Sequence, residues 1–259
     1  MSQSKSGERA ARHPALGQHF LVRQSILKRI AEAACPERVP LVIEIGPGKG
    51  ALTEHLLERA ERVVAVEIDP AMVGQLMLRF PGERRLKVVA QDILSTDLTQ
   101  WGPATVAGNI PYYITSPIVE RVLAMGKTLE RAVLLVQKEV AERLAAKPGS
   151  RDYGFLTVAT QLVAETKLLF KAPPSAFQPP PKVDSAVVSL APRPVAADPT
   201  PLIAFLGLCF RHKRKTLRNN LAHIFGKELV DSQPEAGLRA EQLTLEQFRD
   251  LYRRLTATG

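Results

Sequence analysis

Five apolar runs, each bounded by turn residues, constrain this chain more than anything else in it. They are LVIEIG (41–46), RVVAVEID (62–69), LKVVAQD (86–92), ATVAGN (104–109) and RAVLLVQ (131–137). A strand with one wet face alternates apolar and polar residues, whereas strands covered on both faces are apolar almost throughout, as these are. Helical patterns intervene, as at 51–59 and 71–80. Strand and helix repeating in this way predict an α/β fold with a doubly wound parallel sheet. A sixth strand is expected near 166–170. A seventh, KVDSAVVSL (182–190), follows a Pro-rich turn instead of a helix. A short connection cannot join parallel neighbours, so this last strand is expected to run antiparallel in a seven-stranded, mostly parallel sheet.

The segment APRPVAADPTP (191–201) concentrates Pro and Ala and resists regular structure. It divides the expected organisation into an α/β domain over 1–194, with a basic N-terminal arm, and a small α-helical domain over 195–259. Helices are expected near 201–210, 213–225 and 244–256, the last opened by a Thr244/Gln247 capping box. With 259 residues, 45% hydrophobic and 24% charged, the chain can bury a core of that size.

A net charge of +9 points towards a polyanionic partner, because cations that neutralise phosphates release condensed counterions. Arg211, Lys213, Arg214, Lys215 and Arg218 fall in FRHKRKTLRNNL (210–221), and no acid occurs between Thr200 and Gly226. Such a stripe fits a phosphate backbone, though a solvated helix face has the same composition. The first thirty residues add Lys5, Arg9, Arg12, Arg23, Lys28 and Arg29 against the single acid Glu8. The two cysteines, Cys35 and Cys209, match no metal-ligand spacing and fit a reducing, cytoplasmic setting. No metal is expected. The N-terminus lacks an apolar leader core and no apolar run approaches the roughly 18 residues that cross a bilayer, so no membrane role is expected.

Glu44-Ile-Gly-Pro-Gly-Lys-Gly50 closes the first apolar run and opens a helix, so Gly46 and Gly48 let backbone approach a ligand beside a helix N-terminus. The spacing is Gly-x-Gly-x-Gly, not the Gly-x-Gly-x-x-Gly of dinucleotide enzymes. Glu67 ends the second run 21 positions after Gly46, where a carboxylate can accept from ribose hydroxyls, and Asp92 ends the third, where it can receive an adenine amine. Three such strand ends fit a nucleoside. After the fourth run comes Asn109-Ile110-Pro111-Tyr112. The Asn109 side-chain oxygen and Ile110 carbonyl can accept both hydrogens of a planar aromatic amine, and Tyr112 can stack on its ring. Phe177, in a Pro-rich loop, is easier to assign to surface stacking than to the core, with core packing as the alternative.

At this point the chain resembles the ribosomal RNA adenine dimethyltransferases, and among them the small-subunit branch. The resemblance lies in LGQHFL (16–21), VIEIGPGKGALTEHLL (42–57), VVAVEID (63–69), QDIL (91–94), GNIPYYIT (108–115), LLVQKEVAERL (134–144), SAFQPPPKVDSAVVSL (175–190) and FRHKRKTLRNNL (210–221). It implies a Rossmann-like S-adenosylmethionine methyltransferase fold, with that cofactor contacted at His19, Leu21, Gly46, Glu67, Asp92 and Asn109. It implies a substrate adenine between Tyr112 and Phe177, in two adjacent adenosines of the 3'-terminal hairpin of small-subunit rRNA. The partner is then rRNA within a pre-30S particle, met by a monomer. Two positions depart from the family pattern: His19 stands where Asn is more usual, and Tyr113 replaces a common Asn. The competing readings are a large-subunit rRNA methyltransferase of the resistance type and a mainly non-catalytic assembly factor.

Overall fold

In the computed structural model, which describes residues 19–194 and 198–257, a two-residue strand β1 (Phe20–Leu21) and helix α1 (Gln24–Ala34) precede the apolar runs. Lys5, Arg9 and Arg12 of the basic arm, and the start of the LGQHFL motif, lie outside the described residues. The five runs become β2 (Val39–Ile45), β3 (Ala60–Glu67), β4 (Leu86–Ala90), β5 (Ala104–Asn109) and β6 (Leu129–Gln137), linked by α2 (Ala51–Leu57), α3 (Pro70–Arg79) and α4 (Thr115–Leu123). Beyond them lie α5 (Lys138–Leu144), α6 (Phe155–Val163), β7 (Ala164–Ala172), a two-residue β8 (Phe177–Gln178) and β9 (Ser185–Pro192). The main sheet has the order β4-β3-β2-β5-β6-β9-β7. Strands β2 to β6 are parallel, and β9 runs antiparallel between β6 and β7, as its short Pro-rich connection requires.

Continuous apolarity in these strands is explained by two cores rather than one. Val42, Val63, Ala107, Val133 and Val187 pack with α1 and α2 on one face. Their immediate neighbours Ile43, Val64, Val106, Leu134 and Val188 pack with α4 and α5 on the other. Alternate side chains leave a strand on opposite faces, so a strand covered twice is apolar along most of its length.

A third core joins α6 to the C-terminal helices α7 (Thr200–Cys209), α8 (Leu217–Phe225), α9 (Lys227–Asp231) and α10 (Leu245–Thr256). Val158 and Leu162 of α6 meet Phe205, Leu221, Phe248 and Leu251 there. The helical remainder is thus seated on a helix that precedes β7 in sequence. Helix α10 opens with the expected capping box: the Gln247 amide donates to Thr244 Oγ1 at 3.2 Å and the Thr244 amide to Gln247 Oε1 at 2.9 Å.

The helix expected over 213–225 begins four residues later, at Leu217. Residues 211–214 form a turn instead, closed by the Lys215 amide donating to His212 O at 2.9 Å. Downstream, the Leu217 amide donates to Leu238 O and Thr216 bridges Arg239, which draws the chain out of helical geometry before α8 starts. Of the basic stripe, only Arg218 is helical.

In the β2–β5 ladder Gly108 pairs with Ile45. A Cβ at Gly108 would lie 2.5 Å from the Ile45 carbonyl oxygen and 3.1 Å from Ile110 Cδ1. The obstacle is backbone in the middle of the sheet and cannot swing aside. Gly108→Ala is expected to destabilise the protein by about 1–3 kcal/mol through overpacking; urea unfolding would register this as a lower midpoint at unchanged slope, and an unmoved midpoint would show the junction to be slack.

Candidate active site

The strand order reverses between β2 and β5, so the loops leaving their carboxyl ends diverge and open a crevice where α/β sheets bind ligands. A cavity of about 840 Å³ lies there, inside the range of roughly 300–1,000 Å³ usual for small-molecule sites. His19, Leu21, Gly46, Gly48, Glu67, Asp92 and Asn109 all line it, as do Ile110, Pro111 and Tyr112.

The glycine loop supplies the floor. At Gly48 φ is +54°, and a Cβ would come within 2.9 Å of the Phe20 ring that lies over the loop. Lys49 Nζ sits 4.8 Å from the centroid of that same ring. Glu67, nearly buried, grips the loop from β3: its Oε2 accepts from the Gly48 amide at 3.1 Å and its Oε1 from the Asp69 amide at 3.0 Å. Each carboxylate oxygen has two acceptor positions, so both keep capacity for a ligand hydroxyl. Asp92 Oδ1 accepts from the Leu94 amide at 2.9 Å, which orients that carboxylate at the next strand end. Ile68 and Leu94, each directly or closely following one of these acids, line the cavity although both are exposed, giving it apolar walls beside the polar ends.

Asn109 is oriented by a single contact. Its Nδ2 donates to the His19 carbonyl at 2.9 Å. A carbonyl can only accept, so the amide nitrogen must face it, and the side-chain oxygen is the atom left to receive a donor. The Ile110 amide is bound to Leu135 O at 2.9 Å, which locks the next peptide to β6. Tyr112 follows in a 3-10 turn (Tyr112–Ile114) with its hydroxyl 2.6 Å from Ser185 Oγ, and burial holds that hydroxyl above its ordinary pKa. The His19 ring stacks near it, with centroids 6.0 Å apart and planes 28° apart.

The chain matches the family of ribosomal RNA adenine dimethylases over residues 9–257. The chain belongs to that family. A relative from Acidobacterium capsulatum, named ribosomal RNA small subunit methyltransferase A, is 43% identical over 257 residues, spanning 93% of this chain and 90% of its own. Among solved structures, a dimethyladenosine transferase from Plasmodium falciparum is similar with a TM-score of 0.77 and 28% identity, over 90% of this chain and 96% of that one. The 23S rRNA methyltransferase ErmE is similar with a TM-score of 0.73 and 31% identity, over 91% and 99%. The enzyme has the S-adenosylmethionine-dependent methyltransferase fold and uses that cofactor.

The residues present fit such a group. Glu67 and Asp92 offer acceptors to a nucleoside, and the cavity also contains an acid that sequence reading passed over. Glu44 is 1% exposed, lines the cavity, and accepts from Thr53 Oγ1 at 2.6 Å. Burial pushes its pKa up to about 8, Thr53 holds it down somewhat, and the Glu67 charge raises it further. An acid kept protonated beside a cavity is suited to ionise when a cationic ligand arrives. The visible signal was its place at the head of the glycine motif; its burial was not visible.

Two sequence expectations are corrected. Phe177 is not a surface aromatic: it is 4% exposed and packs in the same core as Leu21 and Leu27. The physical reason is the ladder between β8 and β1, in which Phe177 pairs with Leu21 and is drawn under the N-terminal strand. Its ring leaves almost no free surface for a base. The basic stripe, apart from Arg218, precedes the helix as an exposed turn, and part of it is already engaged. Lys213 Nζ donates to Arg151 O at 3.0 Å, and Arg218 Nε pairs with Asp231 Oδ1 at 2.5 Å.

Glu44 carries a pH signature. Its ordinary pKa is 4.5 and its folded value about 8, so the folded state holds the proton more tightly. That contribution to stability is complete below pH 4.5 and is lost as pH rises to about 8. The melting temperature of the ligand-free protein is expected to decline across this window, and Glu44→Gln to flatten the decline; an equal slope in the variant would assign it to other groups.

Proposed function

We propose that this enzyme transfers methyl groups from S-adenosylmethionine to N6 of two adjacent adenosines in the 3'-terminal hairpin of small-subunit rRNA, giving dimethyladenosine at each. It acts as a monomer on an immature small subunit in the cytoplasm. The observation that carries the reading is the fixed orientation of Asn109, whose Nδ2 donates to the His19 carbonyl. An adenine amine is flat because its lone pair is delocalised into the ring. Held by the Asn109 oxygen and the Ile110 carbonyl, its hydrogens are drawn out of plane and the lone pair localises on nitrogen. Tyr112 offers its ring to the base. The cofactor supplies an already activated methyl group, so positioning is the protein's main contribution. No general base is needed, because the nitrogen that has taken the methyl group emerges as an arylammonium cation, which is acidic enough to yield its proton to water.

The small-subunit substrate is supported by the FQPPPKVDS and FRHKRKTLRNN segments and by the small-subunit relative from Acidobacterium capsulatum. The likeness to ErmE favours a second reading, a large-subunit adenine as substrate. Offering unmethylated particles of both kinds with labelled cofactor, and mapping dimethyladenosine by mass spectrometry, separates the two. Product on neither would remove the catalytic reading.

Asn109→Ala is expected to slow methyl transfer by about 10²–10³-fold, the usual effect of losing one preorganised polar group, while particle binding stays within about threefold. Equal losses in both would contradict the division between chemistry and docking. In the exposed turn, Arg214→Ala and Lys215→Ala are each expected to weaken particle binding and to lower the slope of log affinity against log salt by about one. A slope equal to that of the unmutated enzyme would place the phosphate contacts elsewhere.

A further inference from the structure

We infer that Ser185 is a positioning residue for Tyr112, its hydroxyl fixing the plane on which the substrate base stacks. The inference rests on the functional reading above and adds a residue to it. Tyr112 is tethered at its backbone end, where Thr115 Oγ1 lies 3.3 Å from both the Pro111 and the Tyr112 carbonyls. A turn anchored only there leaves the ring free to rotate about its side-chain torsions. The far end is where Ser185 acts. Its Oγ lies 2.6 Å from the Tyr112 hydroxyl, a short O–H···O contact.

Ser185 is well placed for this. It is fully buried and begins β9, where it pairs with Gln137 of β6 on one side and Ala172 of β7 on the other. A residue held by two ladders cannot follow a moving ring, so the ring must conform to it. A buried hydroxyl without a partner is costly, which keeps the pair formed. Burial also keeps the Tyr112 hydroxyl in its neutral, hydrogen-bonding form.

The Pro-rich segment then gains a function different from the one its sequence advertises. Phe177 is turned into the core, but the carbonyl of Pro179 receives His19 Nδ1 at 2.8 Å, and Ser185 receives or donates to Tyr112. Since a carbonyl only accepts, His19 carries its proton on Nδ1. The segment therefore holds both rings of the His19–Tyr112 stack. A base resting on Tyr112 inherits a plane set by the sheet, and a misalignment of about 1 Å at a reacting centre is enough to slow chemistry without weakening binding.

The test is a double-mutant cycle on dimethylation of unmethylated small subunits at saturating cofactor. Ser185→Ala and Tyr112→Phe each remove one end of the contact and keep the ring. Each is expected to lower kcat about tenfold with KM for the particle unchanged within about twofold, and the double variant to be no slower than the slower single one. A Ser185→Ala enzyme at full rate, or a double variant losing the product of both factors, would overturn the inference. Should Ser185→Ala fail to fold, as judged by circular dichroism and melting, Tyr112→Phe decides: a tenfold loss upholds the contact and a full rate overturns it. If unmutated enzyme forms no dimethyladenosine, the functional reading falls and takes this inference with it, whereas active enzyme with unaffected variants removes the Ser185 contact alone.

Discussion

Everything at this site hangs on the junction of β2 and β5, where Gly108 lies against the Ile45 carbonyl so closely that even a methyl group has no place. These two strands are neighbours although β3 and β4 are built between them in sequence. Because the chain departs from one side of β2 and returns on the other, the loops after Ile45 and Asn109 open away from each other. Cofactor loop and Asn109 motif therefore meet across one cavity, with the Asn109 carbonyl 3.8 Å from where a Cβ on Gly46 would stand. Fixing the two strand ends fixes the distance between donor and acceptor sites.

Two carboxylates that line that cavity have different hydrogen-bond partners. Glu67 accepts from two backbone amides. Glu44, deeper and supplied with a single hydroxyl donor, is pushed towards the protonated form. At Glu44 the desolvation that burial imposes outweighs the hydrogen bond from Thr53. The two buried cysteines show the same force without functional consequence: burial raises both thiols, Cys35 to about 11, leaving them as apolar core residues.

Polar anchoring, more than apolar packing, places the reacting groups. Asn109 is turned by the His19 backbone, Tyr112 meets Ser185, and His19 is held by Pro179. These contacts join residues 90, 73 and 160 positions apart. None is implied by spacing, which explains why the motif around Asn109 was readable while the serine that supports it was not.

Sequence alone determined the strands, the two-sided burial of those inside the sheet though not of β4 at its edge, the antiparallel last strand and most of the residues that line the cavity, because each is a local signal: continuous apolarity, a Pro-rich connection, glycines where a strand meets a helix, an acid at a strand end. Tertiary structure decided which of two aromatics, Tyr112 or Phe177, faces the site. Phe177 and Tyr112 look alike in sequence, but pairing with β1 takes one into the core and a buried serine holds the other at the cavity. It also decided that most of the basic stripe lies in a turn before α8, through contacts with residues 238 and 239 that no helical periodicity anticipates. Burial and protonation, as at Glu44, depend on what the rest of the chain packs around a residue, and that is settled only when distant segments meet.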